Sequence, residues 1–155
     1  MPDPSAWRLD KLKWASSSFD GSGAAKEGGR WNSAGTRVVY CSQHLAMAAQ
    51  EKYVHLPKPV VMRLVKFRIE FNGLTIESLA SLPPDWRVSP PTLATQQIGD
   101  EWAASKRTVI LAVPSVLIPE ETNFLLNPLH PEFSRLGVSS PEVFAFDGRI
   151  ARLHE

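Results

Sequence analysis

Five polar residues of this chain stand in settings that suit chemistry. Glu51 lies in the second half of LAMAAQEKYVHL, a segment otherwise rich in apolar residues. A helix that is apolar nearly all round is usually buried. A carboxylate in it either leaves at an edge, with Gln50 and Lys52 as a solvated stripe, or sits desolvated in a cavity with partners. The segment alone leaves both open. Arg30 follows paired glycines in GGRWN. Glycine reaches backbone angles closed to other residues and lets a ligand approach the main chain. A guanidinium held there offers a rigid fork of donors for phosphate or carboxylate. GGRWN is equally a surface turn whose arginine faces water and whose Trp31 covers the core edge. Tyr40, Ser115 and Asn127 each end an apolar run, the last two beside a proline. Such strand ends, exposed by the turn that follows, are common binding positions.

Other chemistries find less support. His44, Ala48, Glu51 and His55 fall on one side of a helix, at spacings of four, three and four. His44 and His55 are then roughly 16 Å apart along the axis, too far to share one ion. Only a two-ligand site completed from elsewhere would work, and no metal is expected. Ser115 has no Gly-x-Ser-x-Gly elbow around it. The chain has neither a phosphate-binding P-loop nor a dinucleotide fingerprint. Cys41, the single cysteine, sits in the apolar run VVYC, where a buried, inert thiol is expected.

The elements that must position these residues are short. RVVYC (37–41) reads as a strand, and Ser42 is placed to cap the following helix, QHLAMAAQEKYVHL, which stops at Pro57. From Val60 to Phe71 the chain alternates, with Val61, Val65, Phe67, Ile69 and Phe71 on one face and Lys66, Arg68 and Glu70 on the other. TLATQQIGDEWAASK carries Ile98 and Trp102 four apart and suits a helix despite the glycine between them. RTVILAVPS, NFLLNP and EVFAFD read as further strands. Strands and helices mix without a regular strand–helix repeat, which predicts an α+β fold with a mixed, mainly antiparallel sheet.

With 155 residues, 43% of them hydrophobic, one domain spanning 1–155 is expected. Thirteen prolines, many of them paired, separate the elements. Seventeen Lys+Arg against sixteen Asp+Glu leave a formal charge of +1, so no global field draws the chain to nucleic acid or membrane. A lone cysteine, an N-terminus without an apolar core and no membrane-length apolar stretch predict a cytoplasmic protein.

Taken in order, the segments WRLDKLKWASSSFDGSGAAKEGGRWNSAGTRVVYCSQHLAMAAQEKYVHL, IGDEWAASKRTVILAVPSVLIPEETNFLLNPLHPEF and FAFDGRI resemble the RES domain family, named for its Arg, Glu and Ser. Those residues fall on Arg30, Glu51 and Ser115, while Tyr40 matches a strand-ending tyrosine and Arg8 an early arginine. The chain departs from the family in DGSGAAKE, where members carry a more compact glycine-rich run, and in FDGRI, where a proline usually follows the aspartate. The resemblance implies a fold similar to that of ADP-ribosyltransferase toxins. It also implies a toxin of a toxin–antitoxin pair, silenced by an antitoxin with an Xre-like DNA-binding region that fills the active site. Family members break the nicotinamide–ribose bond of NAD+, some by hydrolysis or phosphorolysis, while others are described as modifying a protein. Under that reading Glu51 stabilises the ribosyl cation and Arg30, with Arg8, grips the pyrophosphate. Tyr40 stacks on nicotinamide, and Ser115 and Asn127 orient the substrate. A protein ADP-ribosyltransferase and a non-catalytic nucleotide- or partner-binding module remain as alternatives.

Overall fold

The computed structural model describes residues 4–151. Eight strands, β1 (Ser5–Lys11), β2 (Val39–Ser42), β3 (Leu64–Glu70), β4 (Ile76–Ser78), β5 (Ile110–Pro114), β6 (Thr122–Leu126), β7 (Gly137–Val138) and β8 (Glu142–Phe144), form one sheet. Their order is β4-β5-β6-β2-β1-β3-β7, with β8 also on β3. Every pairing is antiparallel except β4 with β5. The helices are α1 (Ser22–Glu27), α2 (Leu45–His55), α3 (Leu93–Ser105) and α4 (Gly148–Ala151). The mixed sheet with separate helices is the α+β architecture expected from the sequence.

The sheet nearly divides in the middle. β1 runs alongside β3 from Ser5↔Glu70 to Lys11↔Leu64, and β2 alongside β6 from Val39↔Leu126 to Ser42↔Asn123. Between β1 and β2 only Trp7↔Ser42 is in register. Backbone groups left without a ladder need other partners. Arg8 supplies one, donating from Nη1 to the carbonyl oxygen of Tyr40 at 2.8 Å. Side chains alternate across β6, so Phe124 and Leu126 join a cluster with Ile69 and Phe71, while Leu125 joins Trp31 and Trp102 on the other side. α2 closes a third cluster, laying Ala48 and the adjoining Leu56 against Leu9 and Leu64.

Three sequence expectations need correction. The helix carrying Glu51 is not apolar all round in practice: Met47 and Ala48 are buried, but Ala46, Gln50 and Val54 face solvent. Alanines made the segment look apolar without demanding burial. The strand after Pro59 begins at Leu64, and Val61, expected inside, is 81% exposed. Both Leu64 and Val65 are buried, because β3 is packed on both faces there. Ser42 does not cap α2, whose N-cap is His44, without a side-chain capping bond. β1 was not legible as a strand because Arg8 and Asp10, on the face of buried Ala6, break the apolar pattern. They pair with one another at 3.3 Å.

Candidate active site

Glu51, half-buried on the second turn of α2, is held by its neighbours through one oxygen. Oε1 accepts from Ser115 Oγ at 2.7 Å and from Asn123 Nδ2 at 2.8 Å. Among the described residues, Oε2 takes no hydrogen bond. Ser115 is fully buried where the chain leaves β5, and its oxygen also accepts from the amides of Leu117 and Ile118 at 3.1 and 3.3 Å. Its hydroxyl hydrogen therefore goes to Glu51 and its lone pairs to the turn. Asn123 comes from β6, opposite Ser42, whose Oγ bonds Asn123 Oδ1 at 2.7 Å. Ser115 was expected to touch a ligand directly; here it fixes the carboxylate.

Arg30 is carried by a tight turn in which Gly29 N bonds Asn32 O at 2.9 Å, and Gly28 adopts φ 74°. Two sides brace the turn. From the sheet, Tyr40 Oη donates to Asn32 Oδ1 at 2.6 Å and accepts from Trp31 N at 3.1 Å. A Cβ on Gly29 would meet that hydroxyl at 2.9 Å, which is why a glycine stands there. From behind, α3 donates from Gln96 Nε2 to Gly29 O at 3.0 Å, accepts Ser33 N on Asp100 at 3.0 Å, and presses Gly99 against Trp31. Trp31 is 3% exposed, sunk beside Trp102. The turn is thus anchored by its ring while Arg30 stays half-buried at the surface.

The Arg30 guanidinium spends Nη1 on the carbonyls of Trp86 and Val88, each at 2.8 Å. It thereby ties down the segment between β4 and α3. Arg87 of that segment donates to Val116 O at 2.9 Å, beside Ser115. Partial burial pushes the guanidinium down from its ordinary value, opposed by the charge of Glu51 and by Tyr40. The negative charge of Glu51 is thus felt at Arg30. Burial raises the Tyr40 phenol well above its ordinary value, so it stays protonated as a donor to Asn32.

The remaining expected residues lie elsewhere. Asn127, also 1% exposed, donates to Ala103 O and accepts from Leu129 N, fastening α3 to the end of β6. It is four residues beyond Asn123, roughly 13 Å along the strand, and does not join the cluster. Asn123 is the asparagine that does, placed opposite Ser42 by strand register, and no local sequence signal separates it from Asn127. Arg8 donates to Ser18 Oγ at 2.8 Å, to Tyr40 O and to Asp10, so its three nitrogens serve the sheet split rather than an open grip. Tyr40 reaches the site, but its hydroxyl is committed to the Arg30 turn. His44 pairs with Glu121 at 3.0 Å, and no group of three His, Cys, Asp or Glu suited to a metal occurs among the described residues. Cys41 is 5% exposed, and burial pushes its thiol up to about 12. A cavity of about 370 Å³ lined by Val60, Met62, Phe144 and Phe146 lies apart from these residues. No helix among the described residues is long and apolar enough to cross a membrane.

Comparison with known proteins places the chain in a family. The RES domain matches residues 5–147. The Prs ADP-ribosylating toxin of Sphingobium sp. (strain YBL2) is 35% identical, over 96% of this chain and 97% of its own. Toxin Res of Yersinia enterocolitica is 34% identical over 93% of this chain and 97% of its own, and Toxin Res of Photorhabdus laumondii is 31% identical over 94% and 96%. Among solved structures, the Mycobacterium tuberculosis MbcT–MbcA toxin–antitoxin complex contains a chain of similar fold. It has a TM-score of 0.66 at 14% identity and covers 90% of this chain and 83% of that one. The protein belongs to the RES domain family.

Proposed function

We propose that this RES-domain protein is the toxin of a toxin–antitoxin pair, and that it breaks the nicotinamide–ribose bond of NAD+. The observation that carries the reading is the Glu51 carboxylate. One oxygen is fixed by Ser115 and Asn123, the other takes no hydrogen bond among the described residues, and the charge of Glu51 is felt at Arg30. Loss of nicotinamide leaves a ribosyl cation, as in glycoside cleavage, and a carboxylate fixed beforehand stabilises that charge without reorganising. Two donors on Oε1 fix the carboxylate plane and so aim Oε2. Arg30 keeps Nε and Nη2 for the pyrophosphate, while Nη1 holds the segment around Trp86 in place. The names of the Yersinia and Photorhabdus relatives support the toxin role. The fold shared with a toxin from a toxin–antitoxin complex is consistent with a neutralising partner. That partner is an antitoxin, Xre-like in its DNA-binding region, which covers the Arg30/Glu51 face.

The acceptor of the ribosyl group is water or phosphate in the leading reading. A protein acceptor is the second reading, favoured by the name of the Sphingobium relative. Purified protein incubated with NAD+, with and without phosphate and candidate acceptors, separates them. Free nicotinamide without adduct supports the first, a labelled protein the second, and intact NAD+ overturns both. Glu51→Gln keeps the shape and removes the charge, so it should cut turnover by at least about 100-fold while the fold persists. Near-full activity in that variant would end the assignment of Glu51.

A further inference from the structure

We infer that Ser42 is a positioning residue of this site, setting the orientation of Glu51 through the amide of Asn123. The inference rests on the reading of Glu51 above, and it follows from the directions that the hydrogen bonds must take. An ionised carboxylate only accepts, so the atom of Asn123 facing Glu51 is the amide nitrogen. Its carbonyl oxygen must then face Ser42, and Ser42 must donate. The chain Ser42–Asn123–Glu51 thus has one polarity, and the hydroxyl of Ser42 is what selects it. With that donor removed, a rotated Asn123 would present an oxygen to the carboxylate, and the second donor to Oε1 would be lost.

The location gives Ser42 a second hold on the site. It is the residue of β2 that is in register with both neighbouring strands, facing Asn123 on β6 and Trp7 on β1. Elsewhere the ladder between β1 and β2 is missing, so the two halves of the sheet meet at the residue that orients the Glu51 support. Ser42 is 3% exposed and caps no helix, which leaves its hydroxyl to Asn123.

Kinetics of nicotinamide release test this, with Ser42→Ala, Ser42→Thr, Asn123→Ala and the Ser42→Ala/Asn123→Ala double variant measured beside Glu51→Gln. Ser42→Ala should lower kcat roughly tenfold, the worth of one well-placed hydrogen bond, with little change in KM. Ser42→Thr keeps the donor and should restore kcat. In the Asn123→Ala background, Ser42→Ala should cost nothing more, because the two act as one path. If Ser42→Ala does not fold, Ser42→Cys, nearly isosteric and a weak donor, should show the same fall. Wild-type kcat in the Ala or Cys variant, or a fully additive double variant, overturns the role of Ser42 while leaving Glu51 intact. Full activity in Glu51→Gln overturns both.

Discussion

A methyl group at Gly99 would lie 1.5 Å from the carbonyl oxygen of Trp31 and 2.7 Å from its carbonyl carbon. Two opposing terms follow from Gly99→Ala. In the interior of α3, alanine is favoured over glycine by about 1 kcal/mol. Against this stands an overlap with backbone, which no side-chain rotation relieves. Side-chain carbons do not approach such atoms closer than 3.0 Å, so the helix and the turn must part by at least 1.5 Å. Overpacking on this scale costs about 1–3 kcal/mol or more. Parting also strains the bonds of Gln96 to Gly29 and Asp100 to Ser33, each worth about 1 kcal/mol. The overlap wins, with a net loss of roughly 2–3 kcal/mol. At about 2–4 °C per kcal/mol for a chain of this length, Tm should fall by roughly 4–12 °C. A displacement of about 1 Å in a binding group can cost on the order of 100-fold in rate, so NAD+ turnover should fall further than stability alone requires.

Thermal unfolding by circular dichroism and nicotinamide release check the two parts separately. Gly23→Ala is the control: Gly23 lies in α1 with nothing within 4 Å of an added Cβ, so only the propensity gain applies. It should be neutral or slightly stabilising. A Gly99→Ala protein as stable as the Gly23→Ala protein, with normal turnover, would mean that α3 does not brace the Arg30 turn. The positioning of Arg30 would then need another source.

Arg30→Lys should raise KM for NAD+ about tenfold, since one ammonium cannot hold the Trp86 and Val88 carbonyls and a pyrophosphate together; an unchanged KM would return Arg30 to a purely structural role. Stability should decline above pH 9. The buried Cys41 thiol is held at about 12 against an ordinary 9.0, so in that window the unfolded chain loses a proton that the folded one keeps. The slope is at most about 1.4 kcal/mol per pH unit, and denaturant melts of Cys41→Ala should show a shallower fall; equal slopes would mean the thiol titrates alike in both states. Expression of the chain alone should arrest growth and lower cellular NAD+, while Glu51→Gln should be harmless. Unimpaired growth with folded wild-type protein would sink the toxin reading.

The residues legible in the sequence were those whose neighbours restrict them, and the illegible ones owe their position to pairing between distant segments. Arg30 stood out because only a glycine at 29 can lie against Tyr40 and a positive φ suits glycine at 28, and glycine is visible in a sequence. Glu51 stood out against alanines, although the helix is only half-buried and the argument from an apolar surround was too strong. What makes Glu51 unusual is its pair of partners, Ser115 and Asn123, 64 and 72 residues away. Ser115 was visible beside its proline, but Asn123 and Asn127 are indistinguishable by local sequence, each a polar residue at one end of the same apolar run. Strand register decides between them, since only Asn123 lies opposite Ser42 at the end of β2. The same register turned Ser42 from a helix cap into a donor across the sheet. Arg8 and Asp10 hid β1 by placing two charges on a buried face, a pattern that makes sense only once the sheet divides beside them. In each case the missing information was which strands are adjacent, and adjacency is a property of the whole fold.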